Sequence, residues 1–392
     1  MSRNPNPLNP RLKRFFAGSF LSVMIISLFL LLNGSGFLPD MYFYETIPFY
    51  LPEKELAEIF RITPEDGETP ADMVFSQAAG ESPAPRDINI RVYTNRPAAS
   101  ESQSAPPDGI ILETIFTGYD TSALIGTEGV AFQTERPEAP APEPGEPEKL
   151  RDFEYLRSYY TVQENTLMTE ADFDIDKLLS FDNTLDRRLS GEPQILICHT
   201  HSSESYIGGG GVLEAGERLA QALMERYGIV SVHMTSGYDV PEQLGAYERI
   251  EPDIARVLRE YPSIEIVIDL HRDGVPDGSP KFVTLTNGKP TARIMFVNGL
   301  SKLYENGVLI DIPYLPNPNL QANLSFSLNA QLSANRMYPG LTRNIYLKAY
   351  RYTLSQRPKS LLVEVGAQNN TIEEALNAAE ALADVLADVV LR

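Results

Sequence analysis

Two of the chain's four histidines stand one residue apart, in the run "ILICHTHSSESY" from Ile195 to Tyr206. Four apolar residues lead directly into His199, His201, three serines and Glu204. A third histidine, His271, ends "IEIVIDLHRDG", between Asp269 and Asp273. A carboxylate, Glu364, lies inside the apolar run "SLLVEVG". Imidazoles and carboxylates at the ends of apolar runs are the donor set of a catalytic zinc site, which takes three such ligands and leaves a position for water. A separate glutamate on a hydrophobic strand, with a pKa raised by burial, suits a general base and proton shuttle. The candidate metal ligands are His199, His201, Glu204 and His271, with Glu364 as the catalytic carboxylate. Glu214 is a rival ligand that the glycines at 208–211 could swing inward, and those glycines are expected to form a mobile lid.

Other readings of these residues are weaker. Ser202, Ser203 and Ser205 lack the G-x-S-x-G elbow of a serine hydrolase. Cys198, the single cysteine, sits in an apolar strand and reads as a small buried hydrophobe, so no intramolecular disulfide is available. His233 follows "IVSV" and is expected to be structural. The lack of cysteine ligands argues against a structural zinc.

The elements that must position these groups alternate. Apolar strands are expected at 195–198, 229–232, 264–270, 292–297 and 360–366, and helices at 213–227, 243–260, 319–336 and 371–391. Thr371 and Glu374 form a capping box at the start of the last helix. The pattern predicts an α/β fold with a mostly parallel sheet flanked by helices, whose sites form at the carboxyl ends of the strands.

The rest of the chain reads as an approach to that domain. Its net charge of -20 argues against nucleic-acid binding, which needs cations to neutralise phosphates. Residues 1–14 are a basic cytoplasmic tail. Phe15 to Leu32 is uncharged and of spanning length, so 15–38 is expected to be a retained transmembrane anchor with the remainder outside the cell membrane. Residues 39–133 form a juxtamembrane region of unknown fold with two isolated short strands, "INIRVYT" and "GIILETIF". Residues 134–150, rich in proline and glutamate, are expected to be an extended, solvated linker without helix. The catalytic domain is placed at 151–392.

The three motifs, in this order and separation, resemble those of the stage II sporulation protein P family, and "NPNLQANLSFSLNAQLSANRMYPGLTRNIYLKAYRYT" fits the same family between the second and third. The resemblance covers about Tyr155 to the C-terminus. It implies an amidase-like, zinc-dependent peptidoglycan hydrolase active in engulfment during sporulation. Such an enzyme is an N-acetylmuramoyl-L-alanine amidase, credited also with endopeptidase activity. The implied partners are a lytic transglycosylase (stage II sporulation protein D) and a membrane partner (stage II sporulation protein M). The family's histidines fall on His199, His201 and His271, and its catalytic glutamate on Glu364. Aligned on the strand end of ordinary zinc amidases, His201 rather than His199 takes the ligand position. The third ligand is Glu204 or Glu214, with Glu204 favoured as part of the motif. Arg272 is expected to hold a stem-peptide carboxylate or the oxyanion. The alternative from another class is a scaffold that grips peptidoglycan and recruits other hydrolases.

Overall fold

The structure, a computed structural model, describes residues 87–95, 109–116 and 146–392. The anchor expected at 15–38 lies outside them. No helix among the described residues is long and apolar enough to cross a membrane. All described residues fall within one compact unit, 83–392.

At its centre is a nine-stranded sheet. In chain order its strands are β1 (Ile88–Thr94), β2 (Ile110–Phe116), β3 (Tyr160–Val162), β4 (Ile195–Cys198), β5 (Ser231–Met234), β6 (Ile266–Asp273), β9 (Ile294–Gly299), β12 (Ile345–Lys348) and β13 (Ser360–Ala367). The spatial order is β2-β1-β5-β4-β6-β13-β9-β12-β3. The inner four, β5, β4, β6 and β13, are parallel. β1 and β9 pair antiparallel on either side of this block. The sheet is thus mostly parallel, as expected, and is made mixed by these two antiparallel pairings. All four strands of the inner parallel block end on the same rim.

Two hairpins stand outside the sheet: β7 (Val283–Thr286) with β8 (Lys289–Ala292), and β10 (Lys302–Glu305) with β11 (Val308–Asp311). Each turns on an Asn-Gly pair, Asn287-Gly288 and Asn306-Gly307, with positive φ at all four residues. That conformation matches the twist of a two-residue hairpin.

Three short helices, α1 (Glu146–Lys149), α2 (Phe153–Arg157) and α3 (Ile175–Ser180), precede four long ones: α4 (Val212–Tyr227), α5 (Ala246–Glu260), α6 (Leu320–Met337) and α7 (Ile372–Val390). α1 corrects the helix-free linker. Pro147 lies in its first turn, where the missing N–H costs little, and Leu150 just beyond is buried.

The strands of the parallel block bury both faces. Ile195 and Ile197 of β4 join Leu219 and Leu223 of α4 and Leu382 and Leu386 of α7 in one core. Leu196 and Cys198, on the other face, pack with Ile250, Ile254 and Val257 of α5. Each such aliphatic side chain contributes roughly 1.5–3 kcal/mol when buried. Leu223 and Met224 carbonyls at the end of α4 meet the N–H of Gly228, in the left-handed conformation. The expected box caps α7: Thr371 Oγ1 accepts from Glu374 N, and Glu374 Oε2 from Thr371 N at 3.0 Å.

β1 and β2, expected as isolated strands ahead of the domain, are part of the sheet. Ile90 and Val92 stand opposite Met234 and Val232 of β5, and Ile88, Ile90 and Ile110 are buried against the α5 core. Removing them opens the β5 edge and its apolar face. A fragment starting at 146 is expected to melt well below one starting at 83 and to aggregate. Thermal unfolding and light scattering of the two fragments check this.

Candidate active site

Four segments bring charged groups to the carboxyl rim of the parallel block, on the α5 face. β6 alternates: Ile266, Ile268 and Leu270 enter the α4 and α7 core, so Asp269, His271 and Asp273 face the other way. Glu364 of β13 is in register with His271 across the β6–β13 ladder. The loop after β4 supplies His201 and Glu204.

Asp269 is fully buried and held by four groups. Thr200 donates from N at 2.9 Å and from Oγ1 at 2.6 Å, Thr353 Oγ1 donates at 3.0 Å, and His271 Nε2 stands 2.8 Å from Oδ1. The last contact is close but out of line for a straight hydrogen bond. Burial alone would raise the Asp269 pKa, but His271 and the Thr200 bonds hold it well below the usual carboxylate range. On His271 burial acts to lower the pKa, and Asp269, aided by Glu204, outweighs it and holds the imidazole well above its ordinary value.

The Nδ1 of the same ring lies 3.6 Å from Glu204 Oε2, which also accepts from Arg272 N at 2.9 Å. Ligand atoms of one tetrahedral ion with bonds of 2.0–2.2 Å stand about 3.3–3.6 Å apart. His201 packs edge-on against His271, ring centroids 5.3 Å apart, and against Tyr247. Its Nδ1 is buried without a hydrogen bond, 3.9 Å from the buried Asp239. Burial, then the neighbouring His271, lowers its pKa, so the ring is a neutral donor.

Among the described residues no three His, Cys, Asp or Glu side chains already converge on one ion position. The donors present fit a divalent metal in chemistry. Each of the two imidazoles has one nitrogen toward a buried carboxylate, Asp269 or Asp239, as metal-bound histidines do, and Glu204 stands at ligand spacing from His271.

Glu364 is half-buried, but its Oε2 is sealed from water without a partner. Burial raises its pKa to about 8, with Glu204 and Asp273 adding to the rise against the pull of His271. The bulge that follows, where register shifts between Glu364 and Ala367, turns on Gly366 at φ 67°. A Cβ there would stand 2.6 Å from Asn370 Oδ1.

Four sequence expectations place differently. His199 does not join the cluster. It continues the Ile195, Ile197 face under α4, where Nδ1 meets Leu270 O at 2.7 Å and Nε2 meets His233 Nε2 at 2.8 Å. A carbonyl only accepts, so Nδ1 carries the His199 proton and His233 donates from Nε2 to the neutral ring. Burial holds His199 down at about 4 and His233 well below its usual value. Gly216 of α4 leaves the room, since a Cβ there would lie 2.6 Å from His199 Nε2.

Arg272 faces away from Glu364 and braces the loop: its Nε donates to Ser205 O at 3.0 Å, while its N–H holds Glu204. Glu214 is exposed and accepts from Gly211 N at 2.9 Å, capping α4. The glycine segment is a pinned turn rather than a free lid. Gly208, Gly209 and Gly210 all have positive φ, and Tyr206 N donates to Gly210 O and Gly209 N to Tyr206 O.

Asp239 was missed from the sequence. It accepts from Ser202 Oγ and from the N and Oγ of Ser203, which accounts for two of the loop serines. Its only signal was a lone acid in "SGYDVP", five residues beyond the end of β5.

Glu364 also makes a statement about stability. Between its unfolded value near 4.5 and its folded value of about 8 the native state holds a proton that the unfolded state lacks, so its contribution is lost as pH rises through 8. Metal-free Glu364→Gln is therefore expected to gain on the wild type as pH rises from 5 to 8, by about 3 kcal/mol at the top. Urea melts of both proteins in chelator across that range test it, and an unchanged difference refutes the raised pKa.

The family model for "Stage II sporulation protein P" matches residues 133–387, more than half of the chain. The stage II sporulation protein P of Bacillus subtilis (strain 168) is 25% identical over 306 residues, covering 70% of this chain and 67% of that protein. Among solved structures, the N-acetylmuramoyl-L-alanine amidase AmiC2 of Nostoc punctiforme is 18% identical with TM-score 0.34, over 52% of this chain and 99% of that one. An N-acetylmuramoyl-L-alanine amidase from Clostridium difficile 630 is 14% identical with TM-score 0.30, over 51% and 95%. Likenesses of that size place no residue, and the site stands on its own geometry. The chain belongs to the stage II sporulation protein P family.

Proposed function

We propose that this chain is a zinc-dependent peptidoglycan hydrolase that cuts the amide between the lactyl group of muramic acid and L-alanine. The observation that carries the reading is the pairing of a partnerless, buried Glu364 Oε2 with a neighbouring set of two carboxylate-backed imidazoles and Glu204. A site that only bound would have no use for an acid with its pKa raised by burial.

Zinc held by His201, Glu204 and His271 would polarise the scissile carbonyl and acidify the attacking water. Asp269 and Asp239 fix the two rings from behind. Arg272 is a positioning residue that holds Glu204 through its backbone N–H. Glu364 takes the proton of the attacking water and returns it to the leaving amine nitrogen, a role suited to a pKa of about 8. The apolar segment at 15–38 anchors the enzyme outside the cell membrane, at the sporulation septum. Family membership suggests stage II sporulation proteins D and M as its transglycosylase and membrane partners, and cross-link endopeptidase as a second activity.

Incubation of the full chain with purified wall, followed by muropeptide analysis, tests the reading. Release of intact stem peptides is expected. Single amino acids would indicate a carboxypeptidase, and no product a wall-binding scaffold. Glu364→Gln is expected to lower turnover about 100-fold or more while metal stays bound. His271→Ala should lose the metal. Full activity of the wild type in a chelator would remove the metal from the mechanism.

A further inference from the structure

One residue row beyond Glu364 and His271 along the same rim is a second charged group. Asp273 follows His271 by two residues on β6 and shares its face. Arg343, just before β12, donates from Nη1 to Asp273 Oδ2 at 2.6 Å, and its guanidinium lies 3.9 Å over the Phe282 ring. Arg293 stands just before β9, two residues ahead of Met295, which is in register with Glu364. Its carbonyl accepts from Gly366 N at 3.0 Å, which fixes it beside the bulge.

The charges in this row do not balance. Arg343 has Asp273. Arg293 gives Nη2 to Thr342 O at 2.7 Å, its Nε is buried without a partner, and no carboxylate pairs with it among the described residues. Burial, then the like charge of Arg343, pulls the Arg293 pKa below its ordinary value. A guanidinium placed beside another, with a donor left unused, is costly unless an anion completes it. In a protein of net charge -20 this surplus is local rather than part of a general basic surface. The planar fork of arginine matches a carboxylate in two-point contact.

We infer that Arg293, with Arg343 beside it, forms a subsite for a free carboxylate of the substrate's stem peptide, one row from the reacting amide. The inference rests on the proposed peptidoglycan substrate and adds the group by which that substrate is recognised. It moves to Arg293 the carboxylate-holding role that the sequence suggested for Arg272, whose side chain is turned to the loop backbone.

The test is binding, so it does not depend on cleavage. The full chain in detergent is titrated calorimetrically with a synthetic stem tetrapeptide bearing free carboxylates, and with the same peptide fully amidated. The free acid is expected to bind at least about tenfold more tightly, the scale of one charge-assisted hydrogen bond. Arg293→Gln should bring that ratio close to one, and Arg293→Lys should retain part of it. Equal binding of the two peptides by the wild type, or binding of neither, overturns the subsite. The wild-type comparison needs no variant to fold. An enzyme that prefers the free acid but releases no product leaves the subsite standing and removes only the hydrolase reading.

Discussion

A carboxylate sealed from water has to be matched, and Asp269 is the point on which the rest of the site is built. Leaving such a charge unpaired in the interior costs several kcal/mol. Its partners come from three places: Thr200 at the end of β4, His271 on its own strand, and Thr353 beyond β12. Meeting that one demand fixes the start of the 199–205 loop, the orientation of the His271 ring, and the approach of the 352–355 turn. The loop that carries His201 and Glu204 is thereby set against β6, and Arg272 N and Tyr206, whose hydroxyl donates to Val365 O, hold its far end.

The same neighbourhood drives two carboxylates in opposite directions. Asp269 has hydroxyls, an amide and an imidazole around it and stays ionised. Glu364, one strand away, meets burial and two further acids, Glu204 and Asp273, and its pKa rises. Separated pKa values in one cleft suit the proposed division between a group that orients and a group that moves protons. Position on the sheet decides which is which. Asp269 lies two residues deeper than His271, where threonines can reach it, whereas Glu364 lies level with His271 at the rim.

Much of this was legible in the residues. His271 ends one largely apolar run and Glu364 lies near the end of another, and the strand pattern places both toward a carboxyl rim. The capping box at Thr371 and the stop at Gly228 are local chemistry and appear where their residues stand. His199 shows where such reading fails. A spacing of two puts His199 and His201 on one face only while the strand continues. The strand ends at Cys198, so His199 keeps the face of Ile195 and Ile197 while the turn carries His201 to the other side. Asp239 had no periodic signal, because it reaches the site from a loop. The strands at 88–94 and 110–116 looked isolated because they join the sheet only through the pairing of β1 with β5, more than a hundred residues on.

The sequence by itself determined the alternating elements, the parallel block and the residue types delivered to its rim, because hydrophobic period and capping are properties of neighbouring residues. Only the tertiary structure decided which imidazole joins the carboxylates, that β1 closes the β5 edge, and that Arg293 is left without an acid among the described residues. Those outcomes depend on which distant groups share a face, and on the cost of burying a charge that has no partner.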